Sequence, residues 1–97
     1  MSDDFFAPPP FKPDEALAKA KRELRELGLT EREGRFERRG LAIARVAVDG
    51  SALKVAIVKR PGRSPEWTEK ALHDSAALRD FVADLKKKLA SWSDRDE

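Results

Sequence analysis

The sequence predicts an α+β domain over residues 13–92. It is a small antiparallel sheet of three to four strands, centred on a hairpin at 41–60, with an N-terminal and a C-terminal helix packed on one face. Three observations lead there. Apolar residues recur with the helical period near both ends of the chain. Between them, the apolar runs Leu41–Val48 and Leu53–Val58 flank Asp49-Gly50-Ser51-Ala52, a turn signal between two strand signals. The length of 97 residues accommodates one core of modest size.

Residues 1–12 hold Phe5, Phe6 and Phe11 among Pro8-Pro9-Pro10. Proline at this density excludes helix and central strand, so an extended arm is expected. Its Phe side chains either pack on the domain or enter an aromatic-lined groove of a partner. Pro13 suits the first turn of a helix, and Asp14 and Glu15 suit its positive end. Ala16, Leu17, Ala20, Leu24 and Leu27 form one stripe, so a helix over 13–27 is expected. Gly28 then provides a left-handed stop, with Leu29 folding back on Leu24 in a Schellman ending. Thr30 and Glu33 have capping-box spacing, but Gly34 limits any helix there to one turn.

Arg35-Phe36-Glu37-Arg38 fits a short strand before the hairpin. A two-residue Gly50-Ser51 turn of type II′ sets the hairpin register, placing Val48 opposite Leu53, Val46 opposite Val55 and Ala44 opposite Ile57. One face is then wholly apolar: Ala42, Ala44, Val46, Val48, Leu53, Val55 and Ile57. A slip of one residue would mix apolar and polar side chains on both faces, so the pattern itself favours this register. Residues 61–74 are ambiguous. Ser64-Pro65-Glu66 resembles a helix start at Trp67, and Trp67–Leu72 equally reads as an edge strand. The final helix is expected over 75–92, capped by Asp74 or Ser75, with Leu78, Phe81, Val82, Leu85, Leu89 and Trp92 on one stripe. Residues 93–97 carry nothing apolar and read as a disordered tail. The expected core is Leu17, Leu24, Leu27, Ala44, Val46, Val48, Leu53, Val55, Ile57, Leu78, Phe81, Val82, Leu85 and Leu89.

Composition narrows the chemistry. With no Cys, disulfides, a thiolate zinc site and a cysteine nucleophile are excluded. With a single His, the supply of metal ligands is thin, and neither a metal nor a small-molecule cofactor is expected. No phosphate-cradling glycine motif is present. His73, Asp74 and Ser75 are residue types found in hydrolase triads. As chain neighbours, however, they cannot converge in nucleophile–base–orienter geometry, so an enzyme is not expected. No apolar run approaches a membrane span, and the acidic Asp3-Asp4 start is unlike a signal peptide. A cytoplasmic protein without membrane contact is expected.

Charge is unevenly distributed. The whole chain has 20 basic and 18 acidic side chains, for a formal +2. Residues 34–63 hold eight basic side chains against two acidic ones, a local +6, whereas 1–33 and 64–97 each carry six against eight, or −2. With both helices on the apolar sheet face, the opposite face would present Arg45, Lys54 and Arg60 among Leu41, Ile43, Ala56 and Val58. Arg60-Pro61-Gly62-Arg63 is either an ordinary turn or an anion clasp between two guanidinium groups.

The helix–strands–helix order is similar to that of double-stranded RNA-binding domains. Those carry a basic cluster at the start of the final helix, where this chain has Asp74, Ser75, Ala76 and Ala77 and keeps its lysines at the far end. The strands followed by a Trp-containing segment and an amphipathic helix are also loosely similar to transcriptional coactivators that bind single strands, though no motif of that family is present. Both likenesses are of topology, which does not determine function, and no family is recognised. The resulting expectation is a non-catalytic interaction module that binds a protein partner, or a second copy of itself, through the open face. The alternative is a nucleic-acid-binding module using the basic 34–63 segment. Candidate binding residues are Arg38, Arg39, Arg45, Lys54, Arg60, Arg63, Ile43 and Val58.

Overall fold

The structure is a computed structural model in which residues 11–95 are described. Residues 1–10 of the proline-rich arm, and Asp96 and Glu97, lie outside the described residues. Helix α1 spans Pro13–Glu26, with proline in its first turn, Asp14 and Glu15 at its positive end and Arg25 in its last turn. It ends as Gly28 predicts. Gly28 takes φ +92°, its N–H donates to the Arg25 carbonyl at 2.9 Å, and the Leu29 N–H donates to the Leu24 carbonyl at 3.2 Å. These are the two hydrogen bonds of a Schellman motif, and they return Leu29 to the core beside Leu24.

Five strands follow: β1 Thr30–Arg32, β2 Arg35–Arg38, β3 Leu41–Asp49, β4 Ala52–Val58 and β5 Trp67–Leu72. They form one antiparallel sheet in chain order, so the sheet has five strands rather than three to four. Thr30, which has capping-box spacing to Glu33 in sequence, opens a strand instead. The stretch after Ser64-Pro65 is strand too, not helix. Glu33 and Gly34 join β1 to β2 with φ +53° and +82°, and Arg39 and Gly40 join β2 to β3 with φ +56° and +79°. Two positive φ angles in a two-residue loop define type I′ turns, whose twist matches that of the flanking strands. Gly50, with φ +62°, turns β3 into β4 in the expected register, Val48 opposite Leu53, Val46 opposite Val55 and Ala44 opposite Ile57.

Helix α2, Ser75–Arg95, continues past residue 92, the end expected from sequence. Asp74 rather than Ser75 caps it, accepting the Ala77 N–H at 2.7 Å. Both helices pack on one sheet face. Ala16, Ala20 and Leu24 of α1 and Leu78, Phe81, Leu85 and Leu89 of α2 share a buried cluster with Phe36, Ala44, Val46, Leu53, Val55 and Leu72. Each fully buried large side chain in that cluster contributes about 1.5–3 kcal/mol relative to exposure. Glu31, opposite Phe36 on the same face, meets α1 through Lys21 at 2.9 Å and Arg25 at 3.2 Å. The expected core is otherwise recovered, with Leu17, Leu27 and Val82 at its margin. Val48 is the exception. It sits at the hairpin tip and is 37% exposed.

One irregularity bears on the site. Phe36 faces Ala44, but Glu37 faces Ala42, so the register shifts by one residue and Ile43 is left without a partner on β2. A bulge of this kind interrupts the inward–outward alternation. Ala42, Ile43 and Ala44 are accordingly all buried.

Candidate binding face

The helix-free face of the sheet follows from the register, because residues directly opposite in antiparallel strands share a face. Arg32 faces Arg35, Arg35 faces Arg45, Arg45 faces Ala56 and Ala56 faces Glu69, so one row crosses all five strands. Its first three members are arginines on adjacent strands, about 5 Å apart from one strand to the next. Arg32 and Arg35 are exposed and Arg45 is half-buried. The neighbouring row is Ala47, Lys54 and Ala71, and beyond the arginine row Val58 faces Trp67.

At the β5 end this face is tightly organised. The Arg45 guanidinium carbon lies 4.3 Å from the Trp67 ring centroid, a cation–π contact. Its Nη2 is also 3.3 Å from Oε2 of Glu69, while Nζ of Lys54 is 3.7 Å from the other carboxylate oxygen. A single carboxylate thus sits between two cations, each with about half its side chain exposed. Alanines 47 and 56 floor a shallow depression of about 170 Å³ between these longer side chains.

Several expected site residues are placed differently. Val58 is 0% and Ala56 3% exposed, with the Trp67 side chain packed against the same cluster as Val58. Ile43 is 1% exposed as a consequence of the bulge. The aliphatic surface expected from Leu41, Ile43, Ala56 and Val58 is therefore covered by neighbouring side chains, save for the half-buried Leu41. Arg60 lies beyond the end of β4 and is exposed. With Arg38, Arg39, Leu41, Ile43, Pro61 and Trp92 it lines a separate cavity of about 210 Å³ at the sheet end. There Arg38 donates to the Leu89 carbonyl of α2 at 3.3 Å. Arg63 is exposed in the loop between β4 and β5, which closes through a Lys59 N–H bond to the Glu66 carbonyl at 2.8 Å. Arg45 and Lys54 do share the open face, as expected.

Sequence reasoning missed Arg32, Arg35, Trp67 and Glu69. The signal for the first pair was available: Glu33-Gly34 at the centre of a two-residue turn places residues 32 and 35 opposite each other. Among the described residues no group of three or more His, Cys, Asp or Glu side chains could hold a metal ion, and no helix is long and apolar enough to cross a membrane. The Asp74 carboxylate is engaged as a helix cap, and His73 and Ser75 are exposed beside it. No family model, curated protein or solved structure matches the chain.

Proposed function

We propose that the protein is a nucleic-acid-binding module that grips phosphates along the row Arg32, Arg35 and Arg45, with Lys54 beside it. The row itself is the supporting observation. Like charges placed directly opposite on a sheet destabilise it, so three in succession have a cost that folding alone does not explain. Guanidinium forks are suited to phosphate oxygens, and an alanine floor lets a backbone approach them. Among the described residues Trp67 is the one aromatic side chain on this face, and it is already engaged by Arg45, so the contacts favour phosphate over sequence.

A protein partner or homodimer has weaker support. It was expected to use Ile43 and Val58, which are buried. Among the described side chains Val48 is the single large apolar one that is exposed. The outer edge of β5 also opposes self-pairing. A two-fold axis through the strand centre sets Glu69 against Glu69 or Lys70 against Lys70, a charge clash that protects the edge.

The test is titration of labelled single- and double-stranded DNA and RNA at two salt concentrations. Four phosphate contacts predict a slope of log K against log salt near −3 for single strands and −4 for duplex, or about 50- to 150-fold weaker binding between 50 and 200 mM. Absence of binding at about 20 mM salt, or indifference to Arg32→Glu with Arg35→Glu, overturns the reading.

A further inference from the structure

The Glu69 carboxylate occupies the position that an anionic ligand would take. It accepts from Arg45 through one oxygen and approaches Lys54 through the other, at 3.3 and 3.7 Å. Arg45 is held in place from below by Trp67, at 4.3 Å. Two cations are thus already oriented toward one oxyanion, and that oxyanion is supplied by the chain itself. At the other end of the same row the situation differs: Arg32 and Arg35 face each other with no carboxylate of the sheet in their row before Glu69.

We propose that Glu69 is a resident competitor for a phosphate subsite. On binding, one phosphate of the nucleic acid replaces the carboxylate between Arg45 and Lys54, and Glu69 swings to solvent. This rests on the nucleic-acid reading above and adds to it a residue that sets affinity and salt threshold. While Glu69 is in place, half of the positive charge of Arg45 and Lys54 is compensated, which eases the repulsion between Arg45 and Arg35 in the unliganded protein. Only a polyanion that engages Arg32 and Arg35 at the same time gains enough to displace it, because an isolated phosphate must compete with an intramolecular carboxylate at high effective concentration. The device therefore selects extended polyanions over single phosphates.

The experiment compares wild type, Glu69→Gln and Glu66→Gln, the last removing the same formal charge from the loop end without touching Arg45. The probes are a labelled twelve-nucleotide oligo-dT and the corresponding dA–dT duplex, with inorganic phosphate as a competitor. Circular dichroism establishes that each variant is folded. Glu69→Gln is expected to bind the preferred probe about fivefold more tightly, the loss of two exposed ion pairs. Its salt slope should steepen by up to about one, and sensitivity to inorganic phosphate should appear. In an Arg45→Ala, Lys54→Ala background the gain should vanish, because a double-mutant cycle isolates the coupling. Equal gains from Glu66→Gln and Glu69→Gln, or a gain that survives in the Arg45→Ala, Lys54→Ala background, would reduce Glu69 to a general charge effect and overturn the inference while leaving the nucleic-acid reading intact. If neither probe binds wild type or Glu69→Gln at about 20 mM salt, the nucleic-acid reading itself falls.

Discussion

Arg35 stands directly opposite Arg45 in the β2–β3 ladder, on the face away from both helices. Two cations so placed repel, and Arg32 adds a third on the adjacent strand. Replacing Arg35 should therefore have opposite effects on folding and on binding. Arg35→Thr removes the repulsion and introduces a good strand former, and should stabilise the domain by about 0.5 kcal/mol in urea unfolding. The same variant should bind nucleic acid about tenfold more weakly at low salt, with a salt slope shallower by nearly one. A variant that loses stability as well as binding would show that Arg35 is structural.

Trp67 has a second role that can be separated from any ligand. Its ring faces Val58 across the β4–β5 pair and carries the Arg45 guanidinium on the same side of the sheet. Trp67→Ala should cost about 2 kcal/mol, below the range for a fully buried tryptophan because the ring is half-exposed. Trp67→Phe should recover most of that loss. A change under about 0.5 kcal/mol for the alanine variant would mean that the indole does not shield the strand beneath it.

Glu33 occupies a left-handed conformation, φ +53°, in the β1–β2 turn, where asparagine is the preferred residue before glycine. Its side chain is exposed. Glu33→Asn should raise stability by about 0.5–1 kcal/mol, read as a higher melting temperature. A lowered melting temperature would place the turn in a different class.

Gly28 tests the helix ending in isolation. A Cβ built there meets nothing within 4 Å, yet φ is +92°. Gly28→Ala should thus cost about 1–2 kcal/mol from backbone conformation alone, without steric conflict. Asp74→Ala should cost about 1 kcal/mol by releasing the Ala77 N–H at the start of α2. Equal stability of wild type and either variant, by chemical denaturation, would contradict the assigned cap.

Much of the architecture was legible because it is local. Gly28 and Leu29 specify their own ending, and Gly50-Ser51 fixes a register that the alternation of Val46, Val48, Leu53 and Val55 reinforces. What escaped the sequence depends on partners distant in the chain, or on segments too short for a period. Thr30–Arg32 has three residues and cannot display alternation. Trp67–Leu72 becomes a strand because β4 offers it an edge, although Ser64-Pro65-Glu66 is a fair helix start. The burial of Ile43 depends on a bulge that no local pattern announces. The candidate site divides in the same way. Arg45 and Lys54 were placed together by the hairpin, whereas Arg32, Arg35, Trp67 and Glu69 joined them through the outer strands. The +6 of the middle segment was also counted without Glu69, which β5 returns to that face.

The chain-order arrangement of the strands has a kinetic consequence. Each strand pairs with its immediate neighbours in sequence, and the first four of them meet through turns of two residues. Closing such short loops carries little entropy cost, so the sheet can form by successive zippering from any of its hairpins. The arginine row lies wholly within the segment 32–45 and is complete once β3 has folded back on β2 and β1. The slow event is left to the ends of the chain, where α1 must find β3 and α2. A nascent or partly opened molecule would consequently display its cationic row before its core is sealed, and a polyanion present during synthesis would meet that surface first.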